Sequence, residues 1–134
     1  MTVFNDIQAA LDTQFATITG TPKAFPNVPY TPQAGTTYLR AAFLPADTAQ
    51  ASLGSTGKDE TNGIYQVDVV APRGSGRPSE VDTVADTFKR GTVLTYNSQS
   101  LRVRSVSMGP AILDEEWYFI PVSIDFQTYT EARS

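Results

Sequence analysis

The chain has 134 residues, 40% of them apolar and 18% charged, which suits one folded domain with a single core and argues against disorder. Its 10 basic and 14 acidic residues give a net charge of −4, without the clustered positive charge that binding to phosphates requires. There is no cysteine and no histidine, so disulfides, thiolate metal sites, thiol nucleophiles and the commonest general base are excluded.

The segment from Met1 to Ile7 has neither a basic start nor a long apolar run, so it is not expected to act as a signal peptide. No window approaches the length of an apolar membrane span, and no membrane partner is expected. A cytosolic product, made where disulfides would not form, is the expectation. Phe4, Ile7, Leu11, Phe15 and Ile18 recur at spacings of three and four, which predicts a helix over residues 3–18 with Thr2 as N-cap. Gly20 and Pro22 stand where such a helix should stop. Residues 23–28 read as a short edge strand between prolines, and residues 30–36 as a loop.

Residues 38–44 read as a strand. Residues 45–62 are rich in Ala, Ser, Thr, Gly and Asp, with Leu53 as the one bulky apolar side chain, and predict a long mobile loop. Residues 63–71 give the clearest strand: Tyr65, Val67 and Val69 alternate with Gln66 and Asp68. A loop over residues 72–78 leads into a helix over 79–90. Ser79 is its expected N-cap, Val81, Val84, Ala85 and Phe88 its buried stripe, Lys89 and Arg90 its favourable C-terminal charges, and Gly91 its C′ residue.

Residues 92–96 and 99–106 should form a hairpin about Asn97 and Ser98, with Leu101 and Val103 inward and Arg102 and Arg104 outward. Residues 108–113 are a weaker strand, Asp114, Glu115 and Glu116 an acidic turn, and residues 117–130 a closing strand. Pro121 lies within that last run and predicts a bulge or an edge. The order of elements predicts a single α+β domain over residues 1–134: a largely antiparallel or mixed sheet with two helices packed on one face. Phe4, Ile7, Leu11, Val67, Val69, Val84, Phe88, Leu101, Val103, Ile120, Val122 and Ile124 form the expected core. Arg40, Asp68, Arg102, Arg104 and Asp125 should share the other face, where opposite charges on neighbouring strands could pair.

Few groups suggest chemistry. Gly74, Ser75 and Gly76 lie between a strand and a helix, as a phosphate cradle would, but no Gly-Lys-Ser/Thr follows and Pro78 removes a donor; a tight turn explains them. Asp114, Glu115 and Glu116, and the helical pair Asp82 and Asp86, read as solvated acids without the spacing of a calcium loop. The serines and threonines have no evident activating partner. Arg102 and Arg104 with Tyr96 nearby make a weak nucleic-acid surface in an acidic chain. No catalytic, cofactor-binding or metal-binding residue is therefore assigned.

A set of segments carries a family resemblance. They are the N-terminal helix, Ala24-Phe-Pro-Asn-Val-Pro-Tyr-Thr-Pro32, Tyr38-Leu-Arg-Ala41, Gly63-Ile-Tyr-Gln-Val-Asp-Val-Val-Ala-Pro-Arg-Gly-Ser-Gly76 with the helix after it, and Trp117-Tyr-Phe-Ile-Pro-Val-Ser-Ile-Asp-Phe126. Together they resemble the tail terminator-like (tail completion) proteins of long-tailed phages, or siphophages, and the run from Gly63 to Val69 is the most specific part. The resemblance implies a structural virion protein, not an enzyme, forming a homohexameric ring at the head-proximal end of the tail. Such a ring would cap the major tail tube protein, end its polymerisation and join the tube to a head-side connector or stopper protein. DNA would pass through its lumen without specific binding. The alternatives are another neck or tail component, such as a head-tail joining or minor tail protein acting as a binding module, and a cofactor-independent enzyme.

Overall fold

Apolar residues at spacings of three and four bury one side of α1 (Val3–Ala16), where Ile7, Ala10, Leu11 and Phe15 all face the core. The computed structural model describes residues 3–26, 28, 30–33, 35–50, 58–74, 78–96 and 99–131, with the backbone alone at 3–5, 45–50, 58–60, 114 and 129–131. Thr2 and the Phe4 side chain fall outside these. The helix ends by tightening: the amides of Thr17 and Ile18 bond to the carbonyls of Gln14 and Phe15, three residues back. Lys23 Nζ then donates to the Ile18 carbonyl at 2.5 Å, satisfying one of the oxygens left free near the helix end.

Strand β1 is only Lys23–Ala24, shorter than the expected 23–28, because the chain turns at once with the Val28 amide on the Phe25 carbonyl. It pairs in parallel with β2 (Tyr38–Gln50), which pairs antiparallel with β3 (Lys58–Pro72). This corrects the expected loop over 45–62. Both strands run on past the apolar stretch, Thr48–Gln50 pairing with Asp59–Thr61 after an irregularity between Pro45 and Thr48. What remains of the loop, residues 51–57, lies outside the described residues.

Helix α2 is Glu80–Thr87 rather than 79–90. Ser79 already has helical φ and ψ, and its side chain makes no capping bond; its carbonyl instead accepts the amides of Asp82 and Thr83. Phe88 leaves the helix at φ −116° and ψ 47°. Gly91 does have a positive φ of 90°, but in a turn into the next strand, where its amide bonds to Val103 O, and not at the helix C′ position. Lys89 and Arg90 lie exposed just beyond the helix end.

The remaining strands are β4 (Val93–Tyr96), β5 (Gln99–Met108), β6 (Ile112–Asp114) and β7 (Trp117–Glu131). Tyr96 pairs with Gln99, so two residues, both outside the described set, link β4 to β5. The sheet order is β1-β2-β3-β7-β5-β4, with β6 on β7 as well, and every pairing but β1–β2 is antiparallel. It is the mixed sheet of an α+β domain.

Pro121 does not bulge β7 against β3, whose register runs unbroken from Trp117 to Glu131. It sits where β6 gives way to β5, and in an antiparallel strand a residue's amide and carbonyl point to the same side. The Pro121 carbonyl accepts the Gly109 amide at 2.8 Å on that side, so the missing donor falls in the gap between β5 and β6 and not in the β3 ladder. A Cβ on Gly109 would lie 2.9 Å from Pro121 Cγ, so the residue crossing this gap has no room for a side chain.

Both helices pack on the same sheet face. Phe15 of α1 and Phe88, at the C-terminal end of α2, each meet the Tyr65 ring, at centroid distances of 6.2 and 5.8 Å. Beneath them Val67, Val69, Leu101, Val103, Val122 and Ile124 are buried, as expected, and Phe126 is buried beside them. Ile120 is the exception. It is half-buried, lining an open groove with Tyr118 and Met108 instead of the closed core.

Candidate functional site: two charged ends and a braced back face

The run from Gly63 to Val69 is a knot of structural bonds. Gly63 is buried because the Phe126 ring lies over it: a Cβ there would come within 2.6 Å of Phe126 Cζ. That ring also stacks on Phe43 at 5.9 Å, so β2, β3 and β7 are tied together at one level. Tyr65 is fully buried, and its hydroxyl donates to Asp12 Oδ1 of α1 at 2.5 Å. Burial raises the Asp12 pKa above the usual carboxylate value, against the lowering effect of hydrogen bonds from Tyr65 and Gln8. Burial and the neighbouring Asp12 raise the Tyr65 pKa, which keeps its hydroxyl a proton donor at any ordinary pH. The sequence does contain a signal for this bond, a carboxylate one position from the apolar stripe of α1, but nothing in it indicates which tyrosine the carboxylate meets.

On the opposite face, Arg40 and Asp68 occupy paired positions on β2 and β3. Arg40 Nε and Nη2 donate to Asp68 Oδ2 at 3.2 and 2.9 Å, and Gln66 Nε2 donates to Asp68 Oδ1 at 2.8 Å. The Arg40 guanidinium also lies 5.1 Å from the centre of the Phe119 ring. Tyr30, from the segment after β1, stacks near Tyr38 at 4.9 Å, and Tyr38 meets Trp117 edge-on at 5.7 Å. This half of the back face is therefore covered and braced. The expected pairing of opposite charges holds for Arg40 and Asp68. Elsewhere it does not: Arg102 lies opposite Gln127, Arg104 falls in the bulge between Val103 and Ser105, and Asp125 accepts a bond from Ser105 Oγ at 2.9 Å.

Two clusters among the remaining charges stand far apart along β7, although Asp59, Glu60, Asp125 and Glu131 place acids in the arginine-bearing half as well. Near Trp117, the two-residue turn from β6 to β7 exposes Glu115, at a positive φ of 56°, and Glu116. Asp82 of the first turn of α2 is close by, since it lines an open groove of ≈740 Å³ with Ser79, Val81, Met108, Tyr118 and Ile120. Arg73 is the described cation beside this end, its amide on the Glu116 carbonyl. Met108 and Leu113 flank the groove and turn with 63% and 64% of their surface exposed.

In the other half, Arg90, Arg102 and Arg104 line a second open cleft of ≈470 Å³ with Gly91, Val103 and Gln127, and Arg104 also lines a neighbouring groove with Asp125. Val93, 61% exposed, is the β4 partner of Arg102, and Tyr96 is exposed on the same strand. From Tyr118 to Gln127 the ends lie roughly 30 Å apart at a strand rise of about 3.3 Å per residue.

Candidate chemistry from the sequence gains no support. Among the described residues no acidic group is arranged to hold a metal ion, and no helix is long and apolar enough to cross a membrane. Asp82 and Asp86 are exposed on α2, and of the glycine turn only Gly74, at φ 87°, lies among the described residues. Tyr96 and Arg102 lie on adjoining strands but three positions apart in register, Tyr96 opposite Gln99 and Arg102 opposite Val93. The sequence singled out Arg102, Arg104 and the acidic turn separately; their placement at opposite ends of β7 follows from strand order.

No curated protein matches the chain at a significant level. One solved structure, 27% identical, aligns with a TM-score of 0.69 over 91% of this chain and 92% of its own. A second, from the virion of a native gene transfer agent particle, is 19% identical and shares the fold, with a TM-score of 0.65 over 96% of this chain and 98% of its own. The family described as phage tail terminator protein matches residues 6–126. That span takes in both helices and all of the strands except the first residues of α1 and the last of β7, and the chain belongs to the phage tail terminator protein family, structural proteins of the virion tail.

Proposed function

We propose that copies of this chain, six in number as the family resemblance implies, close into a ring on the end of the tail tube. The ring stops polymerisation of the tube protein and offers its other side to a head-side connector or stopper protein. The observation that carries this reading is the family match over residues 6–126. The physical character of the subunit supports it: a rigid sheet braced on both faces, with exposed apolar and charged surfaces at its ends. A ring around a DNA path must not grip its cargo, and the net charge of −4 favours passage by repelling phosphate.

Tail tubes assembled without the protein should vary in length, and tubes capped by it should stop growing. In imaged particles the chain should form one ring at the head-proximal end of the tube. If it lies elsewhere in the neck or tail and leaves tube length unchanged, it is a joining or minor tail component instead. If it neither binds tube ends nor alters their length, the terminator reading fails.

A further inference from the structure

The two charged ends are complementary in sign and in shape. The β6–β7 turn is convex, presents the exposed carboxylates of Glu115 and Glu116, and is flanked by the exposed apolar side chains of Ile112 and Leu113. The cleft at the far end is concave, lined by the guanidinium-bearing side chains of Arg90, Arg102 and Arg104, and flanked by the exposed Val93, the strand partner of Arg102. Each surface thus has charge at its centre and apolar area beside it, and the two cannot meet within one subunit, because about 30 Å of β7 separates them.

We propose that the Glu115–Glu116 turn of one copy docks into the Arg90–Arg102–Arg104 cleft of the next. Arginine suits this contact, since its planar fork can take a carboxylate in two parallel hydrogen bonds. The contact is between unlike surfaces, so every copy gives a turn and receives one, and repetition leads to a ring if the rotation closes. The proposal rests on the ring reading for its geometry, and names the surfaces that would make the ring.

Two double variants of the full chain test it: Glu115→Lys with Glu116→Lys, and Arg102→Glu with Arg104→Glu. All four side chains are exposed, so both variants should fold, which circular dichroism and thermal melting would verify. Sedimentation velocity over a wide concentration range, alone and on tube ends, gives the assembly state. Like charges brought face to face should weaken self-association about 100-fold in either variant. An equimolar mixture should recover it, because alternating copies restore opposite charges at every contact. Wild-type assembly should weaken as salt rises.

Variants that assemble as the wild type does would overturn the contact and leave the ring reading standing. Charge-dependent assembly that stops at a dimer would keep the contact and remove the ring. A wild type that stays monomeric both in solution and on tube ends removes both. If the arginine variant assembles normally but loses binding to duplex DNA or inorganic phosphate, the cleft is an anion site and the docking proposal is wrong.

Discussion

Strands β3 and β7 lie side by side for 15 residues, yet their two halves are held in different ways. From Ile64 to Ala71, alternate side chains of β3 are buried under both helices, opposite Ile124 and Val122 of β7. From Lys58 to Asn62 the sequence is polar, and the same strand continues between Thr48–Gln50 of β2 and Gln127–Glu131 of β7, past the point at Thr128 where β5 stops pairing. The inner half is held by apolar burial, at about 25 cal/mol per Å² of surface removed from water. The outer half is held by backbone ladders on both sides and by cross-strand pairs worth roughly 0.2–1 kcal/mol each. Alternation of apolar residues is therefore a sign of burial, and a strand can extend beyond it wherever two neighbours complete its hydrogen bonds.

If that contrast is right, a truncation in the inner half should be the most damaging change. Phe88 is fully buried and packs on Tyr65, so Phe88→Ala should cost roughly 3–5 kcal/mol in denaturant unfolding. A negligible loss would mean that α2 does not close the core.

Next in size is the junction of the two halves. Any side chain on Gly63 collides with the Phe126 ring, which would have to leave its stack on Phe43. Gly63→Ala should cost roughly 1–3 kcal/mol by overpacking. Combining it with Phe126→Leu should cost less than the two single effects added. Strict additivity would show that the ring does not cover position 63.

Much of the inner half is legible from sequence for the same physical reason that it is stable. The stripe of α1, the alternation from Tyr65 to Val69, the inward Leu101 and Val103 and the face of β7 all follow from burial periodicity. What periodicity does not carry is less legible. The polar ends of β2 and β3 look like a loop because composition reports exposure and not pairing. Ser79 looks like a cap because its type is right while its backbone is already helical. Pro121 looks like a bulge because only the strand order shows that its missing donor faces a gap. The charged surfaces are legible only as fragments: Arg102 and Glu115 are 13 residues apart in sequence and at opposite ends of β7 in the fold.

A smaller effect is expected at the bond between Tyr65 and Asp12, which ties the inner half to α1. Tyr65→Phe removes one donor from a half-buried carboxylate and should cost about 1–2 kcal/mol. The pH dependence has a definite sign. The pKa of Asp12 is raised in the folded state, so the folded chain holds its proton more tightly than the unfolded one. Stability from this group is then present below the ordinary value of 3.8 and is lost as pH rises from there through the raised value. Asp12→Asn keeps an acceptor for Tyr65 and should flatten that slope in unfolding measured across this range. An unchanged slope would place the titration elsewhere.

The smallest effect on stability should come from removing the outer half of the hairpin. Replacing residues 46–60 by a short Gly-Ser turn deletes ladder bonds but none of the core side chains buried among the described residues, and it shortens a chain closure whose entropy depends only weakly on length. The expected loss is under about 1 kcal/mol, a fall in Tm of roughly 4 °C or less for a domain of this size. Assembly is where the deletion should be felt, because three polar strands extending past the helix-covered core are suited to contact with a neighbouring subunit or tail protein. Amide exchange at 48–50 and 58–61 should slow on going from free subunit to assembled tail. Equal exchange in both states, together with normal capping by the shortened chain, would make the outer half a passive extension. A large fall in Tm would instead show that the ladders contribute as much as the core does, and the contrast between the two halves would collapse.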